Sequence, residues 1–183
     1  MTVVPPERIV AGDVVLRRVR ESDAALIADT VAANLTWLAP WMTWAVPIAG
    51  TVEEQRRRTP VAVARWDQGV SFQYLAFHLR TGAHLGNFGL ERRIGPRALE
   101  IGYWLAEAAT GQGYATTAVR VLTATALDLA DVDRVEIHHH HANRRSSLVP
   151  QRLGYQLDRI ESDGVDGRSL VWTYQDPQPG PDR

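Results

Sequence analysis

The sequence contains no cysteine, so disulfide scaffolds, thiolate nucleophiles and cysteine zinc sites are excluded. It contains no lysine either; all 20 basic residues are arginine. Schiff-base chemistry and the phosphate-loop lysine of P-loop nucleotide hydrolases are thereby removed. Neither sign of charge is in excess: 20 basic residues against 21 acidic ones leave a formal net charge of -1. A sequence-independent nucleic-acid binder needs a strong basic excess, so no nucleic-acid partner is expected. Long apolar runs are missing as well. Residues 30–52 carry no charge, but Asn34, Thr36, Pro40, Thr43, Pro47 and Gly50 interrupt them, and no membrane-spanning helix is expected. Residues 1–10 lack a basic start followed by an apolar core and do not read as a signal peptide. The expected location is cytoplasmic.

What is present suits one domain. The chain has 183 residues, 45% of them hydrophobic, enough for a sizeable core. Val14, Val15, Leu16 and Val19 predict a first strand over 13–19. Ser22 and Asp23 offer caps before the helical pattern Ala24, Leu26, Ile27 and Val31. Thr51 and Glu54 form a capping-box pattern opening a helix towards Trp66, closed by Gly69. Pro60 predicts a kink or break in it near Thr59. Alternation over 71–79, 84–91 and 98–105, with turns at Thr81-Gly82 and Gly95-Pro96, predicts an antiparallel meander. A helix over 115–130, a strand over 134–140, a short helix over 143–153 and a strand over 155–160 follow. Ser162-Asp163-Gly164 turns the chain into a last strand over 168–175. The order predicts a mixed α/β sheet with helices on both faces, in a single domain over 1–175. The proline-rich tail, 176–183, reads as disordered.

The segment 99–115 carries the most chemistry. A strand ending at Leu105 leads into a loop holding Gly111 and Gly113, which opens a helix. Glycines let the backbone approach a bulky anion, and the first helical turn presents free N–H groups and the positive end of its dipole, so the loop is a candidate phosphate site. Glycines that merely turn the chain are the alternative. Thr116 stands where a dinucleotide fingerprint needs its third glycine.

Two blocks give the chain a family resemblance. One is Glu100-Ile101-Gly102-Tyr103-Trp104-Leu105 followed by Gly111-Gln112-Gly113-Tyr114-Ala115. The other is Asn143-Arg144-Arg145-Ser146 followed by Leu153-Gly154-Tyr155. In these, and in the opening 16–24, the sequence resembles the GNAT superfamily of acyl-CoA-dependent N-acyltransferases, closest to its RimJ/RimL-like branch, over roughly 13–175. The resemblance implies a GNAT fold: a mixed central sheet of about seven strands, splayed between the fourth and fifth, with helices on both faces. It implies acetyl-CoA as donor and a primary amine as acceptor, with direct transfer in a ternary complex. Pantetheine would lie in the gap beside Tyr103, Trp104 and Leu105. The loop of Thr110, Gly111, Gln112, Gly113, Tyr114 and Ala115 would hold the pyrophosphate. Asn143 would contact the pantetheine arm, Ser146 would sit near the sulfur, and Arg152 would reach a cofactor phosphate. The chain departs from the family at Thr110 and Gln112, where basic or longer polar residues are usual. It departs again at Pro150, where many members carry a tyrosine acid. Pro150 also removes a helix bond to the Ser146 carbonyl, so that helix is expected to start late or bend.

Direct transfer needs a neutral amine. An α-amine of pKa about 7.8 is roughly 10–20% neutral at pH 7, whereas a lysine at about 10.4 is only ~0.04% neutral. One modest carboxylate base suits an α-amine or another low-pKa amine. Glu100 is the candidate base or amine-orienting group; a solvated strand glutamate or a salt bridge to Arg92 or Arg93 is its structural alternative. Ser146 is the candidate proton donor to the leaving thiolate, with helix capping as its alternative. Trp37, Trp41 and Trp44 are candidates for an apolar wall to the acceptor, against a plain core role. The uncharged segment around them is a candidate homodimer surface. Arg56, Arg57 and Arg58 read as a solvated helix face. The run His138 to His141 alternates faces on a strand, no carboxylate partner is evident nearby, and no metal is expected there; one of these histidines is a candidate proton relay. The acceptor is an amine-bearing peptide, as in ribosomal-protein N-terminal acetylation, or a small molecule such as an amine antibiotic. A non-catalytic acyl-CoA-binding protein is the reading from another class.

Overall fold

The computed structural model describes residues 4–162 and 167–175. The turn at Asp163-Gly164 and the tail 176–183 lie outside the described residues. One eight-stranded sheet organises the chain. Its strands are β1 (Arg8–Ala11), β2 (Val14–Arg18), β3 (Ser71–His78), β4 (His84–Glu91), β5 (Ala98–Leu105), β6 (Arg134–His140), β7 (Gln156–Ser162) and β8 (Arg168–Gln175), in the order β1-β2-β3-β4-β5-β6-β8-β7. The pairing of β5 with β6 is parallel and every other pair is antiparallel. The count exceeds the expected seven because β1 precedes the first predicted strand. It is a four-residue edge strand that pairs β2 across a turn at Gly12, whose φ is +54°.

Helices cover both faces. On one side, α1 (Ala24–Ala33), the single turn α2 (Leu35–Leu38) and α3 (Val52–Asp67) close over a core of Val19, Ile27, Val31 and Leu75, with Ala62, Val63 and Trp104 against it. On the other, α4 (Tyr114–Leu127) and α5 (Arg144–Arg152) pack Val119, Leu122 and Val149 onto Leu99, Ile101, Val135 and Ile137. Strand alternation thus sends 99, 101, 135 and 137 to the α4 side, and Glu100, Trp104, Glu136 and His138 to the α1 side.

Neither internal proline interrupts its helix. Thr51 caps α3, its hydroxyl accepting from the Glu54 N–H at 3.3 Å, and the helix then runs unbroken through Pro60. A proline inside a helix costs about 3 kcal/mol. Burial on both sides of it offsets that cost: Glu54, Gln55 and Thr59 before it, and after it Trp66, which meets Phe72 and Tyr74 edge-on at 5.3 and 4.9 Å. Helix α5 likewise starts directly after Asn143 and passes through Pro150.

Candidate functional site

The sheet opens in its middle. β5 and β6 pair only at Ala98↔Arg134, Leu99↔Val135 and Glu100↔Glu136. Beyond Glu100, β5 stays on β4 as far as Leu105, while β6 stays on β8 as far as His140. Each strand follows its antiparallel neighbour, and the inner edges separate. Gly86 holds the far end of β5 close to β4: its φ is +147°, and a Cβ there would collide with the Trp104 carbonyl oxygen. Gly102 widens the opening, since a Cβ on it would meet nothing within 4 Å. The resulting cleft, about 720 Å³, is lined by both diverging strands, the Asn143–Ser146 turn of α5 and the segment holding Trp41 and Trp44.

The glycine loop lies where β5 ends. Gly111 and Gly113 have φ of +76° and +81°, and a side chain on either would point into open space. The loop's polar side chains turn back on the loop. Thr110 donates to the Glu107 carbonyl at 2.8 Å, Gln112 to the Ala108 carbonyl at 2.9 Å, and the Tyr114 hydroxyl to Gln112 Oε1 at 3.1 Å. The first N–H of this region to find an acceptor is that of Thr117, on the Gly113 carbonyl. The backbone N–H groups from Gly111 to Thr116 therefore have no acceptor among the described residues, and Gly113 caps α4 without a side chain. A stack of free N–H groups at the start of a 14-residue helix is an anion cradle, and the residues present fit a diphosphate-bearing donor.

On the α5 side, Asn143 is the cap: its Oδ1 accepts from the Ser146 N–H at 3.1 Å, and its amide NH₂, at the cleft, has no partner among the described residues. Ser146 is therefore not the capping residue. Its hydroxyl meets the Tyr103 hydroxyl at 3.1 Å, and Tyr103 also reaches, at 3.4 Å, the Ser146 carbonyl that Pro150 leaves without a helical N–H. The Tyr103 ring stacks on Phe88 with centroids 5.6 Å apart, and burial pushes its hydroxyl up to about 12. Arg152 is exposed in the last turn of α5 and does not line the cleft.

The α1 side of the gap is ionic and aromatic. Glu100, only 5% exposed, is not a solvated glutamate; Arg93 grips it at both oxygens, at 2.7 and 2.6 Å. Across from it Glu136, 1% exposed, takes three neighbours: the guanidinium groups of Arg134 at 2.9 Å and Arg159 at 3.1 Å, and His138 Nε2 at 2.7 Å. Burial works to raise the Glu136 carboxyl; the bonds from His138 and Arg159 outweigh it and hold the group below the usual carboxylate range. Trp41 and Trp44 line the cleft, Trp41 beside His140 and Trp44 beside Trp104, with centroids 6.2 and 6.0 Å apart. Trp37 does not. Its indole N–H donates to the Leu105 carbonyl at 3.2 Å and Arg145 lies over its ring, because it sits at the far end of β5. Arg57 and Arg58 are not simply solvated: both bond Glu54 and both line the cleft. Sequence reasoning missed Glu136. The signal was its position two residues before His138, which puts both on one face of the strand. Among the described residues no group of three or more histidine, cysteine or acidic side chains is placed to hold a metal ion, and no helix is long and apolar enough to cross a membrane.

Comparison with known proteins gives a consistent picture. The acetyltransferase (GNAT) domain family model matches residues 13–156. A Bacillus subtilis (strain 168) protein named as ribosomal N-acetyltransferase YdaF is 27% identical over 154 residues, covering 83% of this chain and 82% of that protein. Among solved structures, RimL, a ribosomal L7/L12 alpha-N-protein acetyltransferase in complex with coenzyme A, superposes with a TM-score of 0.83 at 22% identity, over 91% of this chain and 96% of that one. The Microcin C7 self-immunity acetyltransferase MccE, in complex with acetyl-CoA and AMP, superposes at 0.83 with 17% identity, over 94% and 98%. At these identities the structures establish the shared fold.

Proposed function

The chain belongs to the GNAT acetyltransferase family, and on that premise we propose that it transfers an acetyl group from acetyl-CoA to the α-amine of a peptide or protein, by direct transfer in a ternary complex. The carrying observation is the coincidence of two features. A sheet gap, where β5 and β6 no longer pair with each other past Glu100, lies beside a run of six N–H groups, from Gly111 to Thr116, with no acceptor among the described residues. The loop amides would hold the diphosphate, the inner edge of β5 from Tyr103 to Leu105 would pair with the pantetheine amides, and the Asn143 side chain would meet the same arm. Bound there, acetyl-CoA supplies an activated acyl carbon and a thiolate leaving group. Ser146 donates a proton to the leaving sulfur, and its own hydroxyl is oriented by Tyr103. Glu100, fixed by Arg93, orients the acceptor amine. Trp41 and Trp44 give the acceptor an apolar wall.

The names of the relatives favour a ribosomal-protein N-terminus as acceptor, and that of MccE keeps a small-molecule amine as the second reading. A cytoplasmic setting belongs to the same proposal. So does a homodimer through the uncharged segment, where Val46 and Ile48 are exposed. The test is thiol release from acetyl-CoA with three sets of acceptors: peptides with free N-termini, polyamines and amine antibiotics. Fast release with N-terminal peptides is expected. Calorimetric binding of CoA without turnover of any acceptor would move the protein to the class of non-catalytic acyl-CoA binders.

A further inference from the structure

Both oxygens of Glu100 already accept from Arg93, which engages one lone pair on each. The histidines differ sharply in what their rings have left to offer. His84 is bonded at both nitrogens, to Thr30 and Asn87. In His139, Nδ1 is bonded to the His140 carbonyl and Nε2 accepts from the Trp172 indole. His78 and His140 each accept backbone N–H groups at Nδ1, so their remaining nitrogen carries the proton and is a donor. His141 faces the Arg168 carbonyl through Nδ1, away from the gap. His138 alone has a carboxylate on one nitrogen, Glu136 Oε2 at 2.7 Å from Nε2, and no partner for the other among the described residues. An ionised carboxylate only accepts, so Nε2 carries the proton and Nδ1 holds a lone pair. Glu136 is itself fixed by Arg134 and Arg159. His138 lines the cleft along with Glu100.

We propose that His138 is the general base of this site, positioned by Glu136, and that Glu100 orients the amine without taking its proton. This rests on the acetyl-transfer reading. The acceptor enters as an ammonium and loses two protons overall. His138 Nδ1 takes the first and returns it to water; the neutral nitrogen then forms the C–N bond as the C–S bond breaks, and the second proton ends on the sulfur. The imidazole suits this task because its Nδ1 can take a proton while Nε2 stays bonded to Glu136. The charged and titratable groups bonded to the His138–Glu136 pair or lining the cleft with it are Arg134, His139 and His140 on its own strand, Arg159 on β7, Glu100 on β5, Glu91 on β4, Arg93, and Arg57, Arg58 and Arg65 on α3.

The experiment compares wild type and His138→Gln, using acetyl-CoA and whichever free-N-terminus peptide of the panel turns over fastest. Glutamine keeps an amide N–H for Glu136 and removes the basic nitrogen. The variant should lose 10²- to 10⁴-fold in kcat, and the limb of its pH profile in the range where imidazoles titrate should disappear. CoA binding by calorimetry should be unchanged. A variant that keeps both its rate and that limb overturns the proposal while leaving acetyl transfer intact. Wild type without turnover or CoA binding overturns the acetyl-transfer reading itself and the base role with it. Independent of any variant's folding, nitrogen NMR of the wild-type histidines should show neutral His138 protonated at Nε2; protonation at Nδ1 would also overturn the assignment.

Discussion

Pro150 leaves the Ser146 carbonyl without its helical donor, and the Tyr103 hydroxyl lies within reach of both that carbonyl and the Ser146 side chain. Tyr103→Phe keeps the ring on Phe88 and deletes only the hydroxyl. It should cost about 0.5–1.5 kcal/mol in denaturant unfolding, the net worth of one hydrogen bond. Ser146→Ala should lower kcat, and adding Tyr103→Phe to it should lower kcat no further, because the tyrosine acts through the serine; additive losses in a double-mutant cycle would give Tyr103 a separate role. Glu100→Gln should reduce turnover more than CoA affinity, read by steady-state kinetics beside calorimetry, since Glu100 faces the acceptor side of the gap. These residues were legible in the sequence because a short local pattern holds them: Glu100 to Leu105 on one strand, Asn143 and Ser146 on one helical turn. Arg93 was legible as one of two partners for Glu100. Glu136 was hidden because the histidine run beside it drew the reading of that strand and because Arg159, which completes its shell, lies 23 residues on and reaches it from β7, across β8.

At the scale of elements, the gap depends on where glycine permits close approach. Gly86→Ala would drive a methyl group into the Trp104 carbonyl, backbone against backbone. β5 would have to leave β4, so the substitution should lower both the melting temperature and CoA affinity. Gly113→Ala differs in kind: there is room for the methyl, but φ of +81° strains any L-residue by roughly 1–2 kcal/mol. Its effect should concentrate in CoA binding, by displacing the N–H groups from the anion, and calorimetry separates the two variants. Most elements were readable from periodicity and turn chemistry. The misses have physical causes. β1 is four residues long and too short to show a period. Pro60 read as a kink or break and Pro150 as a late start or bend, yet both helices run through their prolines, where tertiary burial and the Tyr103 hydroxyl supply what they lose.

At the scale of the molecule, acid should act in two separate windows. His84 and His139 are held below the ordinary histidine value of 6.5, chiefly by burial, so each is neutral in the fold. A depressed folded pKa gives stability that is complete above 6.5 and is lost as pH falls beneath it. Glu54 sits at about 2 rather than 4.5, because Arg57 and Arg58 bond its charged form; its contribution is complete above 4.5 and is lost between there and about 2. Melting temperature against pH should show both declines. His84→Gln should flatten the upper one and Glu54→Gln the lower one. The three-rung seam between β5 and β6 has a further consequence. Past it, the two strands no longer pair with each other, and a sheet rim without its neighbouring strand is the feature that recruits foreign chains into aggregates. A donor lodged between them would act as the missing strand. Light scattering on heating should therefore rise later in CoA-saturated protein than in protein stripped of it, so that saturation with substrate also guards the chain's solubility.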